Sequence, residues 1–305
     1  MTDKSDTFSY CSSEATHEIV RETDHLPVFI SSPLRNSCTP FTCKPSSECC
    51  TSSCVPTHWH EYYEFIYVLN DSMTAVVQAD KYHLHAGDLL TINSGELHAT
   101  KIHTRPMPYL LLQLSAQRLR ELIPDLDQVH FATCIRAEEM EQTPELKKTL
   151  EDLRQTFENH EDGYRLLFTS KLYEFLHILY CHYSCRVISM AEATGTSRDH
   201  KRVTEVVDWT QEHYREPLTL DDAAGHLGIS REYFCRIFKK HTGQTYLEFL
   251  CSTRTARFYN ELQESDKSIP LLMEEHGITN YKTFIRTFKD MYGTTPQKAR
   301  QRTSA

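Results

Sequence analysis

The sequence predicts an α+β chain in two parts, a β-rich N-terminal region followed by a helical pair and then an all-α C-terminal region. Three observations carry that prediction. Between Tyr62 and Ile92 the apolar residues fall in short, strand-length runs separated by turn residues. From Leu146 to Leu179 they recur at helical spacing. From Leu218 onward one pattern is written twice, first as Phe234, Arg236, Phe238, Lys239, Gly243 and Thr245, then as Phe284, Arg286, Phe288, Lys289, Gly293 and Thr295. Upstream, Gly228-Ile229 answers Gly277-Ile278 one position out of step, and Ala224 answers Met273. A period of about fifty residues present only twice reads as two helix-turn-helix units rather than a solenoid.

Composition narrows the classes. A chain of 305 residues suggests two domains. Its net charge of −9 argues against a general nucleic-acid coat. Residues 201–305 nevertheless carry 16 Lys+Arg against 14 Asp+Glu, so the negative excess belongs to residues 1–200. That asymmetry suits a sensor joined to a reader of nucleic acid. The absence of an N-terminal apolar run, and of any apolar stretch of about 18 residues, predicts a cytoplasmic protein with no membrane partner. Without a signal peptide, the 11 cysteines are expected to serve as thiols or metal ligands rather than disulfides.

Taken in order, residues 1–16 are polar and expected to form a disordered tail. A sensor domain is expected over 17–136, beginning with a strand at Val28-Phe29-Ile30. Residues 31–56 lack apolar periodicity and read as an inserted loop holding Cys38, Cys43, Cys49, Cys50 and Cys54. Five closely spaced thiols could hold a soft metal or respond to oxidation, although they lack paired C-x-x-C spacing, and a flexible loop with incidental cysteines explains them as well. Strands follow over 62–69, 74–78, 81–84 and 89–92, with a turn at Asn70-Asp71. Residues 137–185 form a helical segment with a break at residues 160–163, one face on the sheet and another available for dimerisation. The small, polar residues 186–200 read as a linker, and Val203 opens the first helix of a C-terminal domain over 201–305, with Trp209 as a core anchor.

Helical geometry assigns each repeat two faces. Tyr233, Phe234, Ile237, Phe238 and His241 share one side of the first helix; Arg231, Glu232, Cys235, Arg236, Lys239 and Lys240 share the other. In the second copy Thr283, Phe284, Thr287, Phe288 and Met291 point inward, while Tyr281, Lys282, Ile285, Arg286 and Lys289 point outward. Ser230 and Asn280 stand where N-caps belong. One such helix would be solvated surface. Two, each behind a short helix and a glycine turn, point to DNA, because paired recognition helices can enter successive major grooves.

Residues 201–303 resemble the DNA-binding domain of AraC-family transcription regulators. The matching residues are Leu218-Thr219-Leu220, Ala224, Gly228-Ile229-Ser230, Phe238-Lys239-Lys240, Gly243, Arg254, Ile269, Gly277, Phe284, Arg286, Phe288-Lys289, Gly293-Thr294-Thr295-Pro296 and Arg300. The resemblance implies base reading by Arg231, Glu232, Cys235 and Arg236 in the first unit and by Tyr281, Lys282, Ile285 and Arg286 in the second. Lys239, Lys240 and Lys289 would contact phosphates. Promoter DNA, RNA polymerase and a second copy of the chain are the expected partners, and the family is mostly made of activators. Thr255, Phe258, Met273 and Ile278 depart from its usual choices and predict repacked cores.

In the N-terminal region, His58-x-His60-x-x-x-Glu64 precedes Gly87-x5-Asn93-x-Gly95-x-x-His98. These resemble the double signature of cupin barrels, with Asn93 where a proline often stands. The resemblance implies a cupin-like β-barrel over 17–115 with His58, His60, Glu64 and His98 around its ligand site. Residues two apart on a strand share a face, so these four could hold one Fe(II), Mn(II), Ni(II) or Zn(II). The motif requires no cofactor and admits a divalent metal ion, and the same pocket could take an organic effector instead. The sequence therefore predicts a DNA-binding regulator rather than an enzyme. A regulator responsive to metal or thiol chemistry through the cysteine-rich loop, and a cupin enzyme with an appended DNA-binding domain, are the competing readings.

Overall fold

The computed structural model describes residues 53–103, 109–159, 161–186 and 190–303, together with two N-terminal strands, β1 (Glu18–Ile19) and β2 (Val28–Ser31). The strands that follow are β3 (Ser53–His58), β4 (Tyr62–Val68), β5 (Ser72–Val77), β6 (Asp80–His85), β7 (Leu89–Ile92), β8 (His98–Ile102) and β9 (Tyr109–Ser115). A short helix α1 (Ala116–Leu122) precedes β10 (Val129–Phe131) and β11 (Cys134–Ile135). Two antiparallel sheets result, ordered β1-β2-β9-β4-β7-β11 and β3-β8-β5-β6.

Strand alternation decides what each sheet covers. On β4, Ile66 and Val68 turn toward Met73, Ala75 and Val77 of β5, so one apolar core is shared between the two sheets. The intervening Tyr63, Phe65 and Tyr67 turn to the other face and join Leu110, Leu112 and Leu114 of β9. That face is covered by α3 (Pro144–Asn159) and α4 (Tyr164–His182) through Leu146, Leu150, Leu153, Leu172, Phe175 and Leu179. A central strand buried on both faces explains why 62–69 reads as nearly continuous apolar sequence. α2 (Ala137–Met140) leads into the helical pair, and β12 (Ser184–Arg186) pairs with β10 after it.

The C-terminal region is all helical: α5 (Met190–His213), α6 (Leu220–His226), α7 (Arg231–Thr242), α8 (Tyr246–Glu264), α9 (Ile269–Glu275), α10 (Tyr281–Tyr292) and α11 (Pro296–Thr303). Its two cores follow the sequence repeat. Phe234, Ile237 and Phe238 of α7 pack with Tyr246 and Phe249 at the start of α8, and Phe284 and Phe288 of α10 pack with Phe258 and Tyr259 at its end. Phe258 is fully buried and edge-on to Phe284 with ring centroids 4.8 Å apart, so it helps fill the second core.

Two expected boundaries differ. The segment 186–200 was expected as a linker, yet α5 begins at Met190 and runs through most of it. Ala191, Glu192 and Ala193 are good helix formers, and the cost of Gly195, about 1 kcal/mol, does not interrupt a long helix. The inserted loop expected to reach residue 56 ends sooner, because β3 takes up Ser53–His58 by pairing with β8. Pro56 lies where that ladder shifts register, so the missing N–H is tolerated.

Candidate functional site

The two helices that the sequence repeats, α7 and α10, are both capped as their sequences predict. Ser230 Oγ accepts from the Tyr233 N–H (3.3 Å), and Asn280 Oδ1 accepts from the Thr283 N–H (3.0 Å). In the turns before them, the N–H groups of Ile229 and Ile278 donate to the carbonyls of Ala224 and Met273. The one-residue offset in the repeat therefore falls between turn and helix, where Ser230 answers the pair Thr279-Asn280.

The outward residues expected from the repeat are exposed: Arg231, Glu232, Cys235, Arg236, Lys239 and Lys240 on α7, and Tyr281, Lys282, Arg286 and Lys289 on α10. Ile285 departs from this set, being half-buried against the second core. Arg236 stacks over Tyr233 at 5.0 Å from the ring centroid, which holds the guanidinium along the helix face. Thr245 caps α8 in a capping box with Glu248. Hydrogen bonds from the Thr245 N–H and hydroxyl hold the Glu248 carboxyl below its usual range, with Lys239 and Arg286 assisting. One carboxylate near the start of α8 thus feels a cation from each unit.

The second site lies at the end of the four-stranded sheet. His58 closes β3, His98 opens β8 directly opposite it, and His60 follows in the connection to β4. Ring centroids of His58 and His98 are 4.1 Å apart and those of His60 and His98 are 4.8 Å apart. Among the described residues these three offer nitrogen atoms within 4.8 Å of one another. Each ring is fixed by its own backbone: Nδ1 of His58, His60 and His98 lies 3.0, 3.2 and 2.9 Å from the carbonyl oxygens of Pro56, Tyr62 and Glu96. A carbonyl only accepts, so each Nδ1 carries a proton; the His98 Nε2 is left to offer its lone pair, whereas the His60 Nε2 faces the Glu64 carboxylate and donates to it. The His98 Nε2 is buried with no hydrogen-bond partner.

Glu64, the fourth predicted residue, stands beside rather than inside that tight group. Its Oε2 is 3.1 Å from His60 Nε2 and accepts from Gln113 Nε2 at 2.6 Å. Burial alone would raise its pKa, but the bond to His60, the His98 and His60 charges and the Gln113 amide hold it down at about 2. Burial, then the neighbouring His58, pushes His98 down to about 3 against the pull of Glu64. His58 is lowered by the same burial and by His60. The site therefore combines three imidazoles, an ionised carboxylate and an orphaned buried nitrogen, a donor set that fits a divalent transition-metal ion.

Sequence reasoning missed Gln113, whose signal was its place on β9 directly opposite Glu64. It also left Asn93 without a role. Asn93 is buried and bridges to β10, donating from Nδ2 to the Phe131 carbonyl (3.1 Å) while its Oδ1 accepts from the Phe131 N–H (2.9 Å). Of the five loop cysteines, Cys38, Cys43, Cys49 and Cys50 lie outside the described residues. Cys54 is on β3 rather than in a loop, partly buried against the second helix-turn-helix core. Burial pushes its thiol up to about 11, the opposite of a reactive thiolate.

Comparison with known proteins agrees with this division. Residues 47–176 match the family model described as an AraC-like ligand binding domain, and residues 223–302 match one described as a helix-turn-helix domain. The chain is 23% identical over 250 residues to the uncharacterized HTH-type transcriptional regulator YdeC of Bacillus subtilis (strain 168), covering 79% of this chain and 84% of that one. It is 30% identical over 98 residues to the multiple antibiotic resistance protein MarA of Escherichia coli (strain K12), covering 32% of this chain and 77% of MarA. Among solved structures, the DNA-binding domain of AdpA, a global transcriptional factor in complex with a target DNA, is 27% identical. It covers 33% of this chain and 90% of that one with a TM-score of 0.31.

Proposed function

This chain belongs to the AraC family of DNA-binding transcription regulators, and we propose that its input is a divalent transition-metal ion held by His58, His60 and His98 with Glu64 alongside. The observation that carries this reading is the gathering of three histidines, each with Nδ1 on a backbone carbonyl, whose ring nitrogens lie within 4.8 Å of one another beside a buried carboxylate, with the His98 Nε2 buried and without a partner. In metalloproteins the same backbone bonds to the far ring nitrogen orient the ligand and raise its basicity. A bound ion would be held by His58 of β3, His98 of β8 and His60 between β3 and β4, and would supply a positive charge beside Glu64.

At the output end, Arg231, Glu232, Cys235, Arg236, Tyr281, Lys282 and Arg286 read base edges, and Lys239, Lys240 and Lys289 hold phosphates, with Ile285 supplying an apolar contact. The protein works in the cytoplasm as an activator that contacts RNA polymerase. No helix among the described residues is long and apolar enough to cross a membrane. Leu166, Leu167 and Tyr173 leave an exposed apolar face on α4, and a second copy of the chain is its proposed partner.

The test is elemental analysis and zinc or manganese titration of the full chain purified under reducing conditions. One ion per chain is expected, lost in His58→Ala/His98→Ala and retained when the loop cysteines are replaced by serine. Retention of the ion in the histidine variant would refute the assignment, and its loss in the cysteine variant would favour the thiol-rich loop.

A further inference from the structure

The histidines alternate with residues that face the C-terminal domain. On the first segment, Trp59 donates its indole N–H to Asp208 of α5 (2.9 Å), and Thr57 Oγ1 accepts from Gln244 Nε2 (2.6 Å) just past the end of α7. On the second, the Gly95 carbonyl accepts from His200 Nε2 of α5 (2.8 Å). Leu97, next to His98, is fully buried in the core of the first helix-turn-helix unit with Val203, Val206, Phe234 and Phe238. The two segments are tied to each other by the pairing of His58 with His98 and by the Gly95 N–H on the His60 carbonyl (2.9 Å). No residue of the cluster is therefore more than two positions from a contact with the first reading unit.

Two nitrogens on one ion at bond lengths of about 2.0–2.1 Å can be separated by no more than about 4.2 Å. The three histidine nitrogens are spread over up to 4.8 Å, and the most widely spaced rings, His58 and His60 at 5.6 Å, flank Trp59, so loading pulls on the residue that docks on α5. Close-packed neighbours transmit such a shift rather than absorb it. We propose that the histidine cluster is also a clasp: a divalent metal ion at His58, His60 and His98 tightens the docking of α5 and α7 on the N-terminal domain through Trp59 and Leu97. This rests on the metal reading above. Linkage makes it reciprocal, because loosening the clasp from the helical side must weaken metal binding by the same factor.

The experiment uses the full chain with zinc chloride as the probe. Amide exchange of residues 198–208 and 237–244 is followed with and without zinc, beside calorimetric zinc titration of the wild type and of Asp208→Asn/Gln244→Ala, which alters neither segment. Zinc is expected to slow exchange in both stretches of the wild type. The variant should bind zinc on the order of tenfold more weakly, the effect of losing two hydrogen bonds that favour the loaded state, and its exchange should respond less. Trp59 packs at this interface, so zinc should also shift intrinsic fluorescence in the wild type. Zinc binding with unchanged exchange and equal affinity in the variant overturns the clasp and leaves the metal site standing. No zinc binding by the wild type overturns both. If the variant fails to fold, the wild-type exchange comparison decides alone.

Discussion

Replacing Gly228 and Gly277 by alanine, one at a time, separates two costs that usually arrive together. Both glycines sit at the same place in the repeat, with φ of +61° and +64°. Each N–H donates to the carbonyl three residues back at 3.0 Å. Alanine in this left-handed region costs roughly 1–2 kcal/mol, offset by about 0.4–1 kcal/mol from a less flexible unfolded chain. A Cβ at Gly228 would meet nothing within 4 Å, so Gly228→Ala should cost about 1 kcal/mol. A Cβ at Gly277 would stand 2.6 Å from the Arg215 carbonyl oxygen. That segment cannot easily retreat, because Arg254 donates to the Tyr214 carbonyl (2.7 Å) and the Glu216 carbonyl (2.6 Å) on either side.

Relief of such a contact costs about 1–3 kcal/mol beyond the backbone term. Gly277→Ala should therefore destabilise the C-terminal region by about 2–4 kcal/mol in all, and push α9 and α10 away from the end of α5. Thermal melts of the two variants, run side by side, measure the difference at about 4 °C or more per kcal/mol for a unit of this size. DNA binding measured at a temperature where both are folded should fall for Gly277→Ala alone. Equal melting temperatures, or a larger loss in Gly228→Ala, would refute the close approach of Gly277 to Arg215.

On DNA, Arg236→Ala should cost about 1–3 kcal/mol and relax the preference at one base position, whereas Lys289→Ala should weaken every sequence alike and reduce the salt slope by about one. Uniform loss for Arg236→Ala across a panel of mismatched sites would remove its base-reading role. Without metal, stability should fall as pH drops below about 6.5: His98 at about 3 and the lowered His58 take up protons only on unfolding, so the unfolded chain binds more of them. The slope is up to about 1.4 kcal/mol per pH unit for each histidine, and Glu64, at about 2, adds loss in the same direction below about 4.5. Urea midpoints between pH 7 and 4 check this; His98→Ala should flatten the curve, and an unchanged slope would contradict the burial of that ring.

The legible parts of the chain were those whose signal is local or repeated. The helix-turn-helix pair announced itself twice, and its caps, apolar stripes and glycine turns all lie within a dozen residues of one another. β4, β5, β6 and β7 were readable from short apolar runs, and the helix break before Gly163 from composition. What stayed hidden depends on partners distant in sequence. Gln113 becomes a neighbour of Glu64 only through the β4–β9 register, and Ile285 is half-buried through its packing against the second core. β3 looked like loop because its ladder is irregular and interrupted by Pro56, and α5 looked like linker because its first turns are small and polar.

The spacing of His58 and His60 also fixes where the residue between them points. On an extended chain, residues two apart share a side and the residue between them takes the other. His58 and His60 at that spacing imply that Trp59 faces away from them, and a tryptophan turned away from a polar cluster needs an apolar surface with a hydrogen-bond acceptor at its edge. Asp208 and the first helix-turn-helix core supply both. The same alternation that gathers ligands on one side of a strand thus commits the other side to a neighbour. A site at the margin of a domain therefore lies a single residue from contacts with the adjoining domain.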